Sequence, residues 1–133
     1  MSQPAEQFDY EKEIDNCRQW IEASLERSTF FGIATHSFED VKAMILNHQA
    51  ELWYTDKGCI ITFVTHFPQA SLITVWLMGG DFDYVMEKWE ERIYDWARSQ
   101  GCKALYVMGR KGWTRRLKSR DYVEHATVVS KLL

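Results

Sequence analysis

The chain has 133 residues, 46% of them hydrophobic and 26% charged, with a formal net charge of −3. That length buries an adequate core without disulfides or metals and reads as one domain over 1–133, and its apolar runs, 59–65 and 72–78, are far too short to span a bilayer. Three cysteines without a CxxC spacing suggest neither a disulfide framework nor a zinc ribbon and fit a reducing compartment. The polar, acidic first residues are unlike a secretory signal.

Residues 1–8 have no periodicity and are expected to fray. From Asp9 to Arg27, Ile14, Cys17, Ile21 and Leu25 mark one face of an acidic helix, with Trp20 beside it. Phe30-Phe31-Gly32-Ile33 reads as an apolar connector tucked under a sheet. Ser37 followed by Asp40 is a capping box, opening a short helix through Val41, Met44, Ile45 and His48. Glu51–Tyr54 is β-forming, Thr55–Gly58 is a turn, and Cys59–Phe67 is a second strand. Pro68-Gln69 turns the chain into a third strand over 71–78, so 50–78 is predicted to be an antiparallel meander.

The chain is organised around the stretch that follows. Phe82, Val85, Met86, Trp89, Ile93, Trp96 and Ala97 form one wide apolar stripe at helical period. Asp81 is a ready N-cap and Gly101 a ready stop. KALYVMG (103–109) is a further strand, so 71–109 is a β-α-β crossover and its two strands should be parallel. A short helix over 110–122 and a last strand over Val123–Leu132 complete the prediction. The fold class is mixed α/β: a central, mostly antiparallel sheet with a parallel β-α-β crossover and helices packed on both faces.

Little of this carries obvious chemistry. Histidines 36, 48, 66 and 125 lack ligand spacing, and there is no GxSxG elbow. Cys59 and Cys102 sit in apolar settings, where a thiol is inert filling. Glu87, Glu90 and Glu91 are read as a solvated face opposite the stripe. Gly79-Gly80, at a strand–helix junction, could cradle a phosphate, but Asp81 and Asp83 already place carboxylates at the helix N-terminus. Charge is uneven: residues 1–102 carry 8 basic and 17 acidic side chains, residues 103–133 carry 8 and 2. The basic end is either a solvated face or an anion-docking patch made of Arg110, Lys111, Trp113, Arg115, Arg116 and Arg120.

The element order and the block GCKALYVMGRKGWTRRLKSRDYVEHATVVSKL resemble the second half of the GNAT acetyltransferase fold, over roughly residues 37–133. The block is most similar to small GNAT-like proteins of tailed bacteriophages, which share a G-R-x-G-W element, a short helix and an aromatic. The resemblance implies acetyl-CoA in a cleft where the strand before the long helix splays from its neighbour, with the pyrophosphate on a Q/R-x-x-G-x-G/A loop. Here that loop is Met78-Gly79-Gly80-Asp81. The family's asparagine after the next strand falls at Arg110, its proton-donating tyrosine at Leu117, and its G-F pair at Asp121-Tyr122. The strand 71–78, where a glutamate base is common, holds no acid. If acetyl-CoA binds, Met78, Gly79, Gly80 and Arg110 would hold it, helped by Lys111 and Arg115.

The expectation is therefore a GNAT-like, phage-encoded protein without catalytic residues or cofactor. It would act by binding protein, as a virion, internal or host-interaction component in the virion or the host cytoplasm, or by forming homo-oligomers. The acidic body argues against nucleic acid. The alternative is a divergent acetyl-CoA-dependent N-acetyltransferase.

Overall fold

The computed structural model describes residues 10–108 and 111–133. The expected fraying of 1–8 lies outside the described residues. Helices α1 (Tyr10–Asn16), α2 (Arg18–Arg27) and α3 (Phe38–Leu46) come first. Strands β1 (Glu51–Thr55), β2 (Gly58–His66) and β3 (Ser71–Gly80) follow, then α4 (Phe82–Ser99), β4 (Cys102–Val107) and α5 (Lys111–Lys118).

The strands lie side by side in chain order, β1-β2-β3-β4. The first two pairings are antiparallel and β3–β4 is parallel, as a crossover through α4 requires. Asp56 and Lys57 form the tight β1–β2 connection, where Thr55 Oγ1 donates to the Gly58 carbonyl at 3.1 Å and accepts from the Lys57 N–H at 3.0 Å. Between β2 and β3 the register slips: Thr62 faces Val75 whereas Ile61 faces Leu77, leaving Trp76 as an extra residue. This bulge reverses which face β3 presents. Ile73, Val75 and Met78 face α4 and α5, whereas Leu77 turns toward the N-terminal helices.

Two cores result, one on each face of the sheet. Ile14, Cys17, Ile21, Phe38, Val41 and Ile45 from the first three helices bury against Leu52, Cys59, Ile61 and Leu77. On the other face, Phe82, Val85, Met86, Ile93 and Ala97 of α4 pack with Leu117 of α5 against Ile60, Ile73 and Met78. The α4 stripe is as predicted, with Trp89 and Trp96 half-buried at its margin. The capping box of α3 is formed: Ser37 Oγ accepts from the Asp40 N–H at 3.2 Å, and Asp40 Oδ2 accepts from the Ser37 N–H at 2.9 Å.

Three expectations are corrected. The N-terminal helix is broken at Cys17, whose N–H bonds back three residues to the Ile14 carbonyl at 3.0 Å while its thiol side is buried against the sheet. Phe30–Ile33 does not tuck under the sheet. It is a two-residue hairpin closed by a Phe30–Ile33 bridge, with Phe31 and Gly32 at φ +58 and +71, and Phe30, Phe31 and Ile33 are each more than half exposed. Apolar side chains make up much of a folded protein's surface, so apolar composition does not secure burial. Finally, Val123–Leu132 forms no strand: residues 122–133 lie outside helix and sheet, and 123–133 are exposed throughout.

Candidate functional site

β3 and β4 pair only from Ser71 to Val75, and residues 76–80 of β3 then run on without β4. A cleft of about 240 Å³ opens at this separation. One wall is Met78, Gly79 and Gly80 of β3 with Phe82 of α4. The other is Gly112, Trp113 and Arg116 of α5, and Arg27 of α2 also lines it.

The β3 wall is occupied from within the chain. The Met78 N–H donates to Ser24 Oγ at 3.1 Å, and the Met78 carbonyl accepts from Arg27 Nη2 at 3.3 Å. A backbone edge freed from β4 would otherwise offer both groups to a ligand. Gly79 and Gly80 are glycine for packing. A Cβ on Gly79 would sit 2.6 Å from Trp20 Cβ, and one on Gly80, at φ +89, would collide with the Lys57 carbonyl oxygen. The start of α4 is likewise taken: the Asp81 carboxylate accepts from the Tyr84 N–H at 3.1 Å, the Asp81 N–H donates to the Lys57 carbonyl at 2.9 Å, and Asp83 adds a second acid in the first turn. Carboxylates here favour the helix dipole and repel an incoming anion.

Of the basic residues singled out, Arg116 meets the cleft, its guanidinium 5.0 Å from the centre of the Phe82 ring. Arg115 is exposed on α5. Trp113 is half-buried, edge-on to Phe82 at 5.3 Å, and so belongs to both the cleft and the core. Arg120 is not an open docking cation: its Nη1 lies 2.7 Å from Glu90 Oε1, with both side chains largely covered. Arg110 and the side chain of Lys111 lie outside the described residues.

That ion pair also corrects the reading of Glu90 as a solvated acid. Tyr94 Oη donates to Glu90 Oε2 at 2.8 Å and lies 3.0 Å from Tyr122 Oη, so Glu90, Arg120, Tyr94 and Tyr122 form one network joining α4 to the end of α5. Sequence reasoning missed it because Glu90 shares its helical face with solvated acids until a basic residue thirty positions later is folded onto it. Arg27 was missed for a similar reason, since nothing near it in sequence distinguishes it from the other charges of an acidic helix.

The lining is poor in proton-transfer groups. No described residue lining the cleft carries a carboxyl, imidazole or thiol. Leu117, at the position of the family's proton donor, is 5% exposed and packed in the core. Burial, then the neighbouring Tyr122 hydroxyl and Glu90, push the Tyr94 phenol far up, and burial raises Tyr122 too, so neither ionises near neutrality. The adjacent Cys17 thiol and burial push the Cys59 thiol far up, and burial raises Cys102; both are inert. His66 Nδ1 lies 2.6 Å from Ser71 Oγ and His36 Nδ1 lies 2.8 Å from Thr35 Oγ1, and no group of metal-ligating side chains occurs among the described residues. No described helix is long and apolar enough to cross a membrane.

A mixed four-stranded sheet whose parallel pair is joined by the long helix, with helices on both faces, defines a GNAT-like fold, and solved structures bear this out. An acetyltransferase of Trypanosoma brucei superposes with a TM-score of 0.66 at 10% identity, covering 94% of this chain and 96% of that one. A ribosomal-protein-alanine N-acetyltransferase of Brucella melitensis gives 0.63 at 10% identity over 93% and 96%. A GNAT family acetyltransferase of Staphylococcus aureus gives 0.55 at 15% identity over 95% of both chains. The likeness is one of fold. No family model matches the chain, and no curated protein matches it.

Proposed function

We propose that this GNAT-like chain works by binding at the β3–α5 cleft and the adjoining basic face of α5, without acyl transfer. The observation that carries this reading is the engagement of Met78: both backbone groups at the β3–β4 separation are held by Ser24 and Arg27 of α2. A cofactor lying along β3 would have to displace them. General acid–base catalysis needs a titratable group within hydrogen-bond reach of the moving proton, and the described lining supplies none. Arg27 and Arg116 with Trp113 instead suit an acidic protein surface that also presents an apolar side chain. The resemblance of residues 101–133 to small phage proteins supports a virion or host-cytoplasm setting for that partner.

One observation favours a second reading. The same two arginines line the place where the fold would admit the phosphates of acetyl-CoA, so a divergent N-acetyltransferase could grip its cofactor there without the usual loop.

Thermal melts with acetyl-CoA separate the two. A ligand at a hundred times its dissociation constant adds about 2.7 kcal/mol, which a melt resolves. The binding reading expects no shift. A clear shift that Arg27→Ala and Arg116→Ala each abolish, with transfer of the acetyl group to an amine, would replace it with the second.

A further inference from the structure

The β3–α5 cleft brings together two guanidiniums from opposite faces of the sheet. Arg27 comes from α2, which packs with the other N-terminal helices, and Arg116 from α5, which packs with α4. Neither has a carboxylate partner among the described residues, whereas Arg18, Lys42, Arg98 and Arg120 each have one. Arg27 is steadied through Nη2 on the Met78 carbonyl at 3.3 Å, which leaves its other N–H groups to donate elsewhere. The Phe82 ring, 5.0 Å away, holds Arg116 without using its donors. Beside these cations the lining is aromatic, with Phe82 and Trp113 edge-on at 5.3 Å. Trp113 and Met78 also bound a second, apolar void of about 20 Å³ between α4, α5 and the sheet, which gives this wall room to yield to an inserted side chain.

Size and charge restrict the occupant. The cleft's volume of about 240 Å³ is short of the roughly 300–1,000 Å³ that hold a whole drug-sized molecule, so it takes one end of something larger. That end must offer an anion and an apolar group close together. Asp81 and Asp83 at the start of α4 oppose a multiply charged group such as a phosphate. An aspartate or glutamate side chain carries its carboxylate on a short stem with no apolar group beside it. At the end of a polypeptide the carboxylate and the last side chain share one α-carbon, and the planar pair of oxygens matches a guanidinium fork.

We propose that the cleft binds the C-terminal residue of a partner polypeptide, its free carboxylate between Arg27 and Arg116 and its large apolar side chain against Phe82 and Trp113. The preceding residues of the partner have a way out past Gly112, which is exposed and has no atom within 4 Å of where a Cβ would lie. The proposal rests on the binding reading of this cleft and narrows it from an acidic surface to a chain end.

Fluorescence anisotropy with short labelled peptides tests it. A peptide ending in phenylalanine with a free carboxylate should bind the whole chain, and the same peptide with an amidated end roughly tenfold or more weakly, the share of a charged hydrogen bond. Ending the peptide in glycine should also weaken binding. Arg27→Gln and Arg116→Gln should each cost roughly tenfold and erase most of the preference for acid over amide. Both arginines are exposed, so the fold should survive, as circular dichroism will show, and the comparison of peptides on the unmodified chain needs neither variant. Equal binding of acid and amide, or binding of neither, overturns the proposal. So does equally tight binding of an end-capped peptide with internal aspartates, which would return the cleft to an acidic surface and leave the binding reading in place. Failure of that reading shows separately, as a shift of the melt by acetyl-CoA with acetyl transfer.

Discussion

Gly79 of β3 and Trp20 of α2 touch backbone to backbone: a Cβ on Gly79 would lie 2.6 Å from Trp20 Cβ and 2.9 Å from its Cα and carbonyl oxygen. Three close atoms, two of them backbone, leave nothing flexible to move aside. Gly79→Ala should therefore cost about 2–3 kcal/mol, at the upper end for overpacking, measured by urea denaturation. A cost below about 0.5 kcal/mol, the range of ordinary surface changes, would show that α2 yields at this point and that the glycine is free for another purpose.

The two tryptophans of the α4 stripe should respond differently to the same change. Trp89 Nε1 donates to the Tyr54 carbonyl at 2.8 Å, joining α4 to the edge strand β1. Trp89→Phe strips that carbonyl of its partner and should cost about 1–3 kcal/mol. The Trp96 indole N–H is buried near the Glu51 carboxylate but forms no hydrogen bond of proper geometry. Trp96→Phe should thus cost less than about 1 kcal/mol once the loss of ring volume is met by neighbouring side chains. Equal losses at the two positions would mean that ring size, not the N–H, sets both.

Glu51 gives the fold a pH dependence of defined sign. Burial is the main cause of its raised pKa, only partly offset by the Thr62 hydroxyl, which donates to Oε1 at 2.7 Å. A carboxyl that holds its proton more tightly when folded stabilises the fold below its unfolded value, near 4.5, and that stability is lost as pH rises through the folded value. Asp40 works oppositely: the Ser37 backbone N–H, and then the Ser37 hydroxyl, lower its pKa, so its share is lost as pH falls through its folded value, below 3.8. Glu51→Gln should remove the decline on the weakly acidic side and leave the strongly acidic limb in place. Melting curves for the two proteins that run parallel above pH 4.5 would contradict this.

Phe31, His48 and Asp121 take the left-handed backbone that glycine adopts more easily. Phe31 holds φ +58 at an exposed hairpin tip, and Asp121 holds φ +68 at the end of α5. Left-handed backbone costs a non-glycine residue about 1 kcal/mol or more, less for aspartate. Phe31→Gly and Asp121→Gly should each raise stability, by up to about 1 kcal/mol for Phe31 and less for Asp121, read as a rise in denaturation midpoint. A loss at Phe31 would reveal a contact that the exposed ring makes in solution.

What could be read from the chain was what depends on local period and local chemistry. The Phe82–Ala97 stripe, the Ser37 capping box and the β-α-β crossover each follow from residues within one element or its immediate flanks. The bulge at Trp76 could not be read, because no glycine or proline marks it and both faces of β3 are apolar. The exposure of Phe30–Ile33 was hidden by composition, which says that side chains are apolar but not whether another element covers them. At the site, the strand–helix junction marked Gly79-Gly80, whose close packing against Trp20 and Lys57 is structural. Arg27 and the Glu90–Arg120 pair were not legible, since each joins elements far apart in sequence.

The hold of α2 on Met78 also bears on the order in which the chain folds. The Ser24 and Arg27 bonds to Met78 span 54 and 51 residues, whereas β1, β2 and β3 are hairpin neighbours whose paired residues close short loops. Closing a loop costs entropy that grows with its length, so the meander and α4 should assemble before α1 and α2 dock. Mutations at the α2–β3 junction then act late. Ser24→Ala, which leaves the Met78 N–H without its acceptor, should speed unfolding and barely change the folding rate, whereas Ile61→Val in the meander should slow folding. Chevron plots of the two variants would reveal which end of the chain closes last.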